Sequence, residues 1–235
     1  MTVPTATRVS AIVPAYNAEA WLREALDSIL SQSAPIHDLI VVNDGSTDGT
    51  AAILAEYGDR IRVVTQQNRG QGAARNAGLA RATGDCIAFL DADDIWPADS
   101  LRHRAVVLDS QPGIDCVYGS VEQFLSPAAA MDKGAAAFCA RDARPAPFAG
   151  ACLIRRTVFG RVGVFRTDLV LGEMLDWFAR AREAGIVSQA IEAPVLRRRV
   201  HGQNSVIVFR DRRLDYVRVL KDSLDRRRAA AALPE

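Results

Sequence analysis

No stretch of this sequence approaches the ~20 consecutive apolar residues that a membrane-spanning helix needs, and the polar N-terminal residues lack the apolar core of a signal peptide. Cysteine is sparse: Cys86, Cys116, Cys139 and Cys152 include no close pair of the metal-binding kind. Cys86 falls in an expected core strand, so all four are read as reduced thiols and the protein as cytoplasmic. There is no GxxxxGK[ST] phosphate loop and no internal repeat. Nor is one charge in excess overall, since 29 Lys and Arg face 28 Asp and Glu. The residues from Arg197 to Glu235 carry a net +6, which leaves −5 for the rest. An acidic main body with a basic tail is not the profile of a nucleic-acid binder, so no nucleic-acid partner is expected.

What is present is an alternation of elements. The chain has 235 residues, of which 49% are hydrophobic and 24% charged, enough for one large domain with a substantial core. Val9–Pro14, Leu39–Asn43, Ile61–Thr65 and Cys86–Leu90 read as strands. Helices are expected over 18–31 (with Asn17 as N-cap and Trp21, Leu22, Ala25, Leu26, Ile29 and Leu30 inward), 50–57, 70–81 and 99–109. Strands separated by single helices imply βαβ units and a mostly parallel sheet flanked by helices. Beyond residue 110 the pattern is less regular. Strands are expected over 114–121, 151–155, 186–191 and 195–200, a helix over 175–184 and an amphipathic basic helix over 211–228. Ser126–Pro147 reads as a loop with short elements.

The densest chemistry is Asp91-Ala92-Asp93-Asp94, directly after the apolar run Cys86–Leu90. In an open α/β sheet ligands bind at the C-terminal ends of the strands. Three adjacent carboxylates there need a cation or donors to stay ionised. Asp91 and Asp93, two apart, point the same way in an extended chain and suit a hard ion such as Mg²⁺ or Mn²⁺. The plainer alternative is that Asp93 and Asp94 cap the following helix. Tyr16, after Val13-Pro14-Ala15, is placed to stack on a flat ring. Asp44 sits at the same sheet edge, too early to cap the next helix, and suits a hydrogen bond to a base or ribose. Gly70-Gln71-Gly72 followed by Arg75 is an imperfect dinucleotide fingerprint, and Arg75 reads better as a donor to phosphate or a base carbonyl.

Ile12–Asn17, Val42–Asp48, Asn68-Arg69-Gly70 with Ala74–Gly78, and Phe89–Asp94, in this order and spacing, resemble the family 2 glycosyltransferases of GT-A fold. The match is specific over about residues 8–105 and looser to about 205. The resemblance implies a GT-A-like α/β fold with a nucleotide-sugar (donor) half over 1–110 and an acceptor-side half over 111–235. It also implies a UDP- or GDP-linked sugar donor, Mg²⁺ or Mn²⁺ on an Asp-x-Asp motif, and transfer with inversion. Carried over by residue, Pro14, Ala15 and Tyr16 would line the base pocket, Asp44 would bond the base, and Arg75 would help hold the nucleotide. Asp91, with Ala92, would lie on the ribose side, and Asp93 would bind the metal with His201 nearby as its partner.

One departure stands out. Where the family places its catalytic base, Gly172-Glu173-Met174-Leu175-Asp176 has Met174, which accepts no proton. Inverting transfer to a hydroxyl needs a base within hydrogen-bond reach. Glu173 is the candidate and Asp176, three residues on, the reserve. Two further readings remain open: an acceptor already anionic, such as a thiol or phosphate, or a nucleotide-sugar-binding homologue that has lost activity. A nucleotidyltransferase is the remaining rival, disfavoured because Pro14–Asn17 is no glycine-rich loop. The acceptor itself, whether saccharide, lipid-linked or peptide, is not readable. The basic helix suits either an anionic membrane surface at the inner face or, as the preferred reading, packing against the domain or a second subunit of a homodimer.

Overall fold

The structure, a computed structural model, describes residues 7–126, 139 and 142–232. Strands β1 (Val9–Ala15), β2 (Asp38–Asn43), β3 (Arg62–Thr65) and β4 (Cys86–Phe89) pair in parallel in the order β3-β2-β1-β4. Beyond β4 the sheet turns antiparallel: β7 (Cys152–Arg155) pairs with β4 and with β5 (Cys116–Leu125), and β5 also carries β6 (Arg144–Pro145). β8 (Ser188–Val200) runs parallel to β5.

All residues of β1 and β4 are buried, so both faces of the sheet need cover, and the side-chain alternation sorts them. Val9, Ala11, Val13 and Ala15 pack with Leu22, Leu26 and Ile29 of α1 (Leu22–Leu30) and with Leu101 and Leu108 of α4 (Ser100–Ser110). Ile12, Ile40, Val42, Ile87 and Phe89 face the opposite core. That core includes Ala74 of α3 (Gln71–Leu79), Phe159 of α5 (Val158–Val162), Phe165, and Trp177 of α6 (Glu173–Glu183). There Phe89 meets Phe165 edge-on at 5.4 Å, and the Trp177 Nε1–H donates to the Gly163 carbonyl at 2.9 Å, so the indole is buried without an orphaned donor. The other α-helices among the described residues are α2 (Thr50–Glu56), α7 (Ser205–Val208) and α8 (Leu214–Ala231).

Four local expectations need correction. Asn17 does not cap α1: it sits in left-handed backbone at φ 47°, and its Oδ1 accepts from the Thr47 N–H at 2.8 Å, tying the loop after β1 to the loop after β2. The helix begins only at Leu22, and Leu30 lies exposed at its end. Asp93 and Asp94 cap nothing, because α4 starts at Ser100 and both carboxylates are bonded elsewhere. The two strands expected over 186–200 are one: Pro194, which lacks an N–H, is absorbed where the β5–β8 register shifts beside Ser120. In the loop expected over 126–147, residues 127–138, 140 and 141 lie outside the described part, and β6 is its one regular piece among the described residues.

Candidate functional site

β1, β2 and β4 are parallel, so their C-terminal tips share one edge of the sheet, and a cleft of about 1120 Å³ opens there. Pro14, Ala15, Tyr16, Asp44, Asp91, Ala92, Asp93 and His201 all line it. Tyr16 stands at the lip, half exposed.

Asp44 follows β2 directly, and its N–H donates to the Ala15 carbonyl at 2.8 Å. Its buried carboxylate gathers the loop before α3, accepting from Gln66 Nε2 (2.7 Å) and from the backbone N–H groups of Arg69 (2.9 Å) and Gly70 (2.9 Å). This loop approaches so closely that a Cβ at Gly45 (φ +75°) would sit 2.7 Å from the Asn68 nitrogen, which requires glycine. A carboxylate offers about four acceptor positions, so Asp44 keeps room for one more donor.

After β4 the chain turns through an Asp94 N–H to Asp91 carbonyl bond (3.0 Å). The Asp91 Oδ1 accepts from Arg75 Nη2 at 2.7 Å and Gln71 Nε2 at 3.1 Å. The Asp93 Oδ2 meets His201 Nε2 at 2.9 Å and accepts from Asn204 Nδ2 at 3.1 Å. The Gln203 N–H donates to His201 Nδ1 (3.2 Å), so the ring proton lies on Nε2 and points to Asp93. The Asp94 carboxylate accepts the Arg199 N–H (2.8 Å); burial, then Asp93 and Asp91, push its carboxyl well above the usual range. Arg199 clamps the assembly from β8. Its Nε donates to the Asp93 carbonyl at 3.0 Å, its Nη2 pairs with Glu24 of α1, and its guanidinium lies 4.5 Å from the Trp21 ring centre.

The remaining expected residues are placed differently. Arg75 does not line the cleft: it is buried beneath the floor, its Nη2 on Asp91 and its Nη1 on Glu173. Glu173, at the start of α6, is buried in that pair. Asp176 does not line the cleft either: it is fully buried, bonded by Arg180 Nε at 2.8 Å with Arg226 and Arg166 at 3.6 and 3.8 Å. Met174, partly buried, packs against the core that holds Trp177. The structure therefore unites the strand-tip residues with His201 and seats Arg75, Glu173 and Asp176 behind them.

Several cleft residues escaped the sequence reading. Trp21, assigned only to the core, lines the cleft and stacks on His201 with ring centres 5.5 Å apart. Asn204 and Gln203 follow His201 directly, so their proximity in sequence was an available signal. Asp168 carried none: it lines the cleft, and Arg166 holds its carboxyl down to about 2. Arg69 lines the cleft as an exposed cation whose side chain forms no ion pair among the described residues.

Comparison with known proteins places this geometry. Residues 10–166 match the model of glycosyl transferase family 2. The putative teichuronic acid biosynthesis glycosyltransferase TuaG of Bacillus subtilis is 46% identical over 100 residues, 41% of this chain and 40% of that protein. Glycosyltransferase GlyA of Streptococcus pneumoniae is 43% identical over 90 residues, 37% of this chain and 13% of that protein. The chain thus spans less than half the length of these curated relatives. Among solved structures, S. aureus TarS (residues 1–349) in complex with UDP-GlcNAc superposes with a TM-score of 0.67 at 20% identity, covering 84% of this chain and 60% of that one. The mannosyltransferase PcManGT of Pyrobaculum calidifontis in complex with GDP-Man and Mn²⁺ does so with 0.68 at 23%, covering 93% and 64%. At these identities the likeness establishes a GT-A-like fold. Taken with the family match across two thirds of its length, it shows that the chain belongs to glycosyl transferase family 2.

Proposed function

We propose that this chain transfers a sugar from a nucleoside-diphosphate sugar, UDP- or GDP-linked, to an acceptor with inversion, using a divalent metal ion. The observation that carries the reading is the convergence of Pro14–Tyr16, Asp44, Asp91–Asp93 and His201 on one cleft. In this reading residues 1–110 form the donor half and 111–235 the acceptor half.

The donor's base lies against Pro14, Ala15 and Tyr16, with Asp44 taking its remaining acceptor position to a base N–H. Asp91 and Ala92 meet the ribose, and Arg69 faces the diphosphate as an exposed cation. Arg75 acts from behind, holding Asp91 in place.

For the metal, the described residues contain no group of three or more Asp, Glu, His or Cys side chains that forms a cage. Mg²⁺-type ions, however, are commonly held by one or two carboxylates with substrate phosphates completing the shell. Asp93 fits that donor set, since its Oδ1 takes no hydrogen bond among the described residues. His201 stands as the donor that orients Asp93, and it joins the ligand set only on giving up the Nε2 proton. A divalent ion bound at Asp93 supplies neutralisation of the charge that develops on the departing diphosphate.

The acceptor side decides the base. For a hydroxyl acceptor we retain Glu173, which shares Arg75 with the cleft residue Asp91, over Asp176, which is ringed by arginines. An acceptor whose nucleophile is already ionised, a phosphate or thiolate, needs no base, and Met174 packed against the core suits it equally. A second reading, a nucleotide-sugar binder without turnover, rests on the same Met174.

Thermal denaturation with UDP-, GDP-, CDP- and TDP-sugars, with and without Mn²⁺, tests the proposal. UDP or GDP with metal is expected to raise the melting temperature, by about 2–3 kcal/mol of stabilisation at a hundredfold excess over Kd. No shift with any nucleotide would overturn the donor assignment. Binding without donor hydrolysis or transfer would select the second reading.

A further inference from the structure

The C-terminal helix α8 divides cleanly into an occupied and an unoccupied side. Inward, Val219 and Ser223 are buried, and the Tyr216 ring lies so close to Gly172 (φ +86°) that a Cβ there would stand 3.1 Å from it. The acids of this side are spent on the body of the protein. Asp215 accepts the Val170 N–H at 3.0 Å, and Asp222 accepts from Arg166 at 2.6 Å. Ser223 and Arg226 bond Glu183 of α6 at 2.7 and 2.6 Å. Outward, Leu214, Val217, Leu220 and Leu224 form one stripe, 75%, 60%, 58% and 44% exposed, at a spacing that keeps them on one face. Val208 and Phe209, a few residues before the stripe in the chain, are also exposed and line the rim of the cleft.

The charges beside the stripe select its partner. Lys221, Arg227 and Arg228 are exposed on α8, with Arg212 and Arg213 exposed just before it, against two exposed acids, Asp211 and Asp225. Arg212, Arg213 and Lys221 form no ion pair among the described residues. A second copy laid along this face would set cations against cations. An anionic bilayer answers both features, taking the aliphatic stripe into its interface and the cations among its headgroups.

We propose that the outer face of α8 is a docking surface for an anionic lipid bilayer, and that docking brings the rim of the cleft at Val208 and Phe209 to the membrane. The packing against the domain preferred on sequence grounds occupies the inward side of the helix, and the proposal concerns the outward side that this packing leaves open. The same inward contacts hold the segment Arg166–Leu171, which lines the cleft through Thr167–Val170, so the docked helix and the cleft wall form one piece. The inference does not depend on the donor assignment.

Flotation of the full chain with vesicles of phosphatidylcholine alone, and of phosphatidylcholine mixed with phosphatidylglycerol, at low and high salt, provides the test. Binding to the mixed vesicles should exceed binding to the neutral ones by more than about tenfold and fall at high salt, since each cation near an anionic surface is worth about fivefold. A variant with Leu214, Val217, Leu220 and Leu224 changed to serine should lose vesicle binding while keeping its melting temperature and its nucleotide-induced shift. The triple charge reversal Arg212→Glu, Lys221→Glu, Arg227→Glu should also lose it. No binding of the wild-type chain to mixed vesicles, or equal binding to neutral ones, would overturn the proposal. So would a solution dimer that the serine variant dissolves without any vesicle binding, which would assign the face to a second copy. Because the nucleotide shift is read separately, loss of that shift in the wild type bears on the donor reading alone.

Discussion

Arg75→Met is expected to destabilise the protein by about 3–5 kcal/mol, the cost of removing one partner from a buried ion pair. Arg75 is buried with its two Nη groups on Asp91 and Glu173, so the methionine would fill much of the volume but leave two carboxylates facing each other without a cation. Chemical denaturation measures the loss as a lower midpoint at unchanged slope. Arg75→Met with Glu173→Gln should recover part of it, because one of the two unpaired charges is then gone. An Arg75→Met protein as stable as the parent would show that the pair contributes nothing and that Asp91 is positioned by other contacts. Lysine is not an adequate substitute, since a single ammonium lacks the fork that reaches both acids.

Asp93→Asn should reduce sugar transfer by about 10²–10³-fold, the size of effect seen when one preorganised contact to developing charge is removed. The amide keeps the shape of the side chain and an oxygen for His201, so the surroundings of Trp21, Arg199 and Asn204 should persist. What is lost is the charge. The variant should therefore retain a nucleotide-induced thermal shift but show the same shift with and without Mn²⁺. Asp93→Ala should do likewise, with an added loss of stability because His201 and Asn204 lose their acceptor. A metal-dependent shift that survives Asp93→Asn intact would move the ion to other residues.

The sequence made the cleft residues at the strand tips legible because they sit at the ends of strands with strong apolar patterning. Val9–Pro14 and Cys86–Leu90 announce buried parallel strands, and parallel strands deliver their tips to one edge whatever the loops do. Asp44, Asp91 and Asp93 could therefore be grouped before any coordinates were known. Other parts resisted for two reasons. Pro194 reads as a strand break, yet a register shift carries one strand through it, which is a property of the pairing and not of the segment. Arg75, Glu173 and Asp176 are all charged, and local reasoning sends charged side chains outward; their burial depends on partners 98 and 16 residues away in the case of Arg75, and on arginines of α8 and the Arg166 loop in the case of Asp176. Asn17 shows the same limit in miniature: the residue type suits a cap, but a bond to the Thr47 N–H pulls it into a turn.

The three tryptophans of this chain are unequally placed, and that makes one of them informative. Trp96 and Trp177 are sealed in the two cores, while Trp21 lies at the cleft between the Arg199 guanidinium and the His201 ring. Any occupant that rearranges His201 or Asp93 changes the electrostatic surroundings of a single indole. The protein thus carries an intrinsic fluorophore at the cleft proposed to bind its donor, and titrations with candidate ligands can be followed by emission without a label.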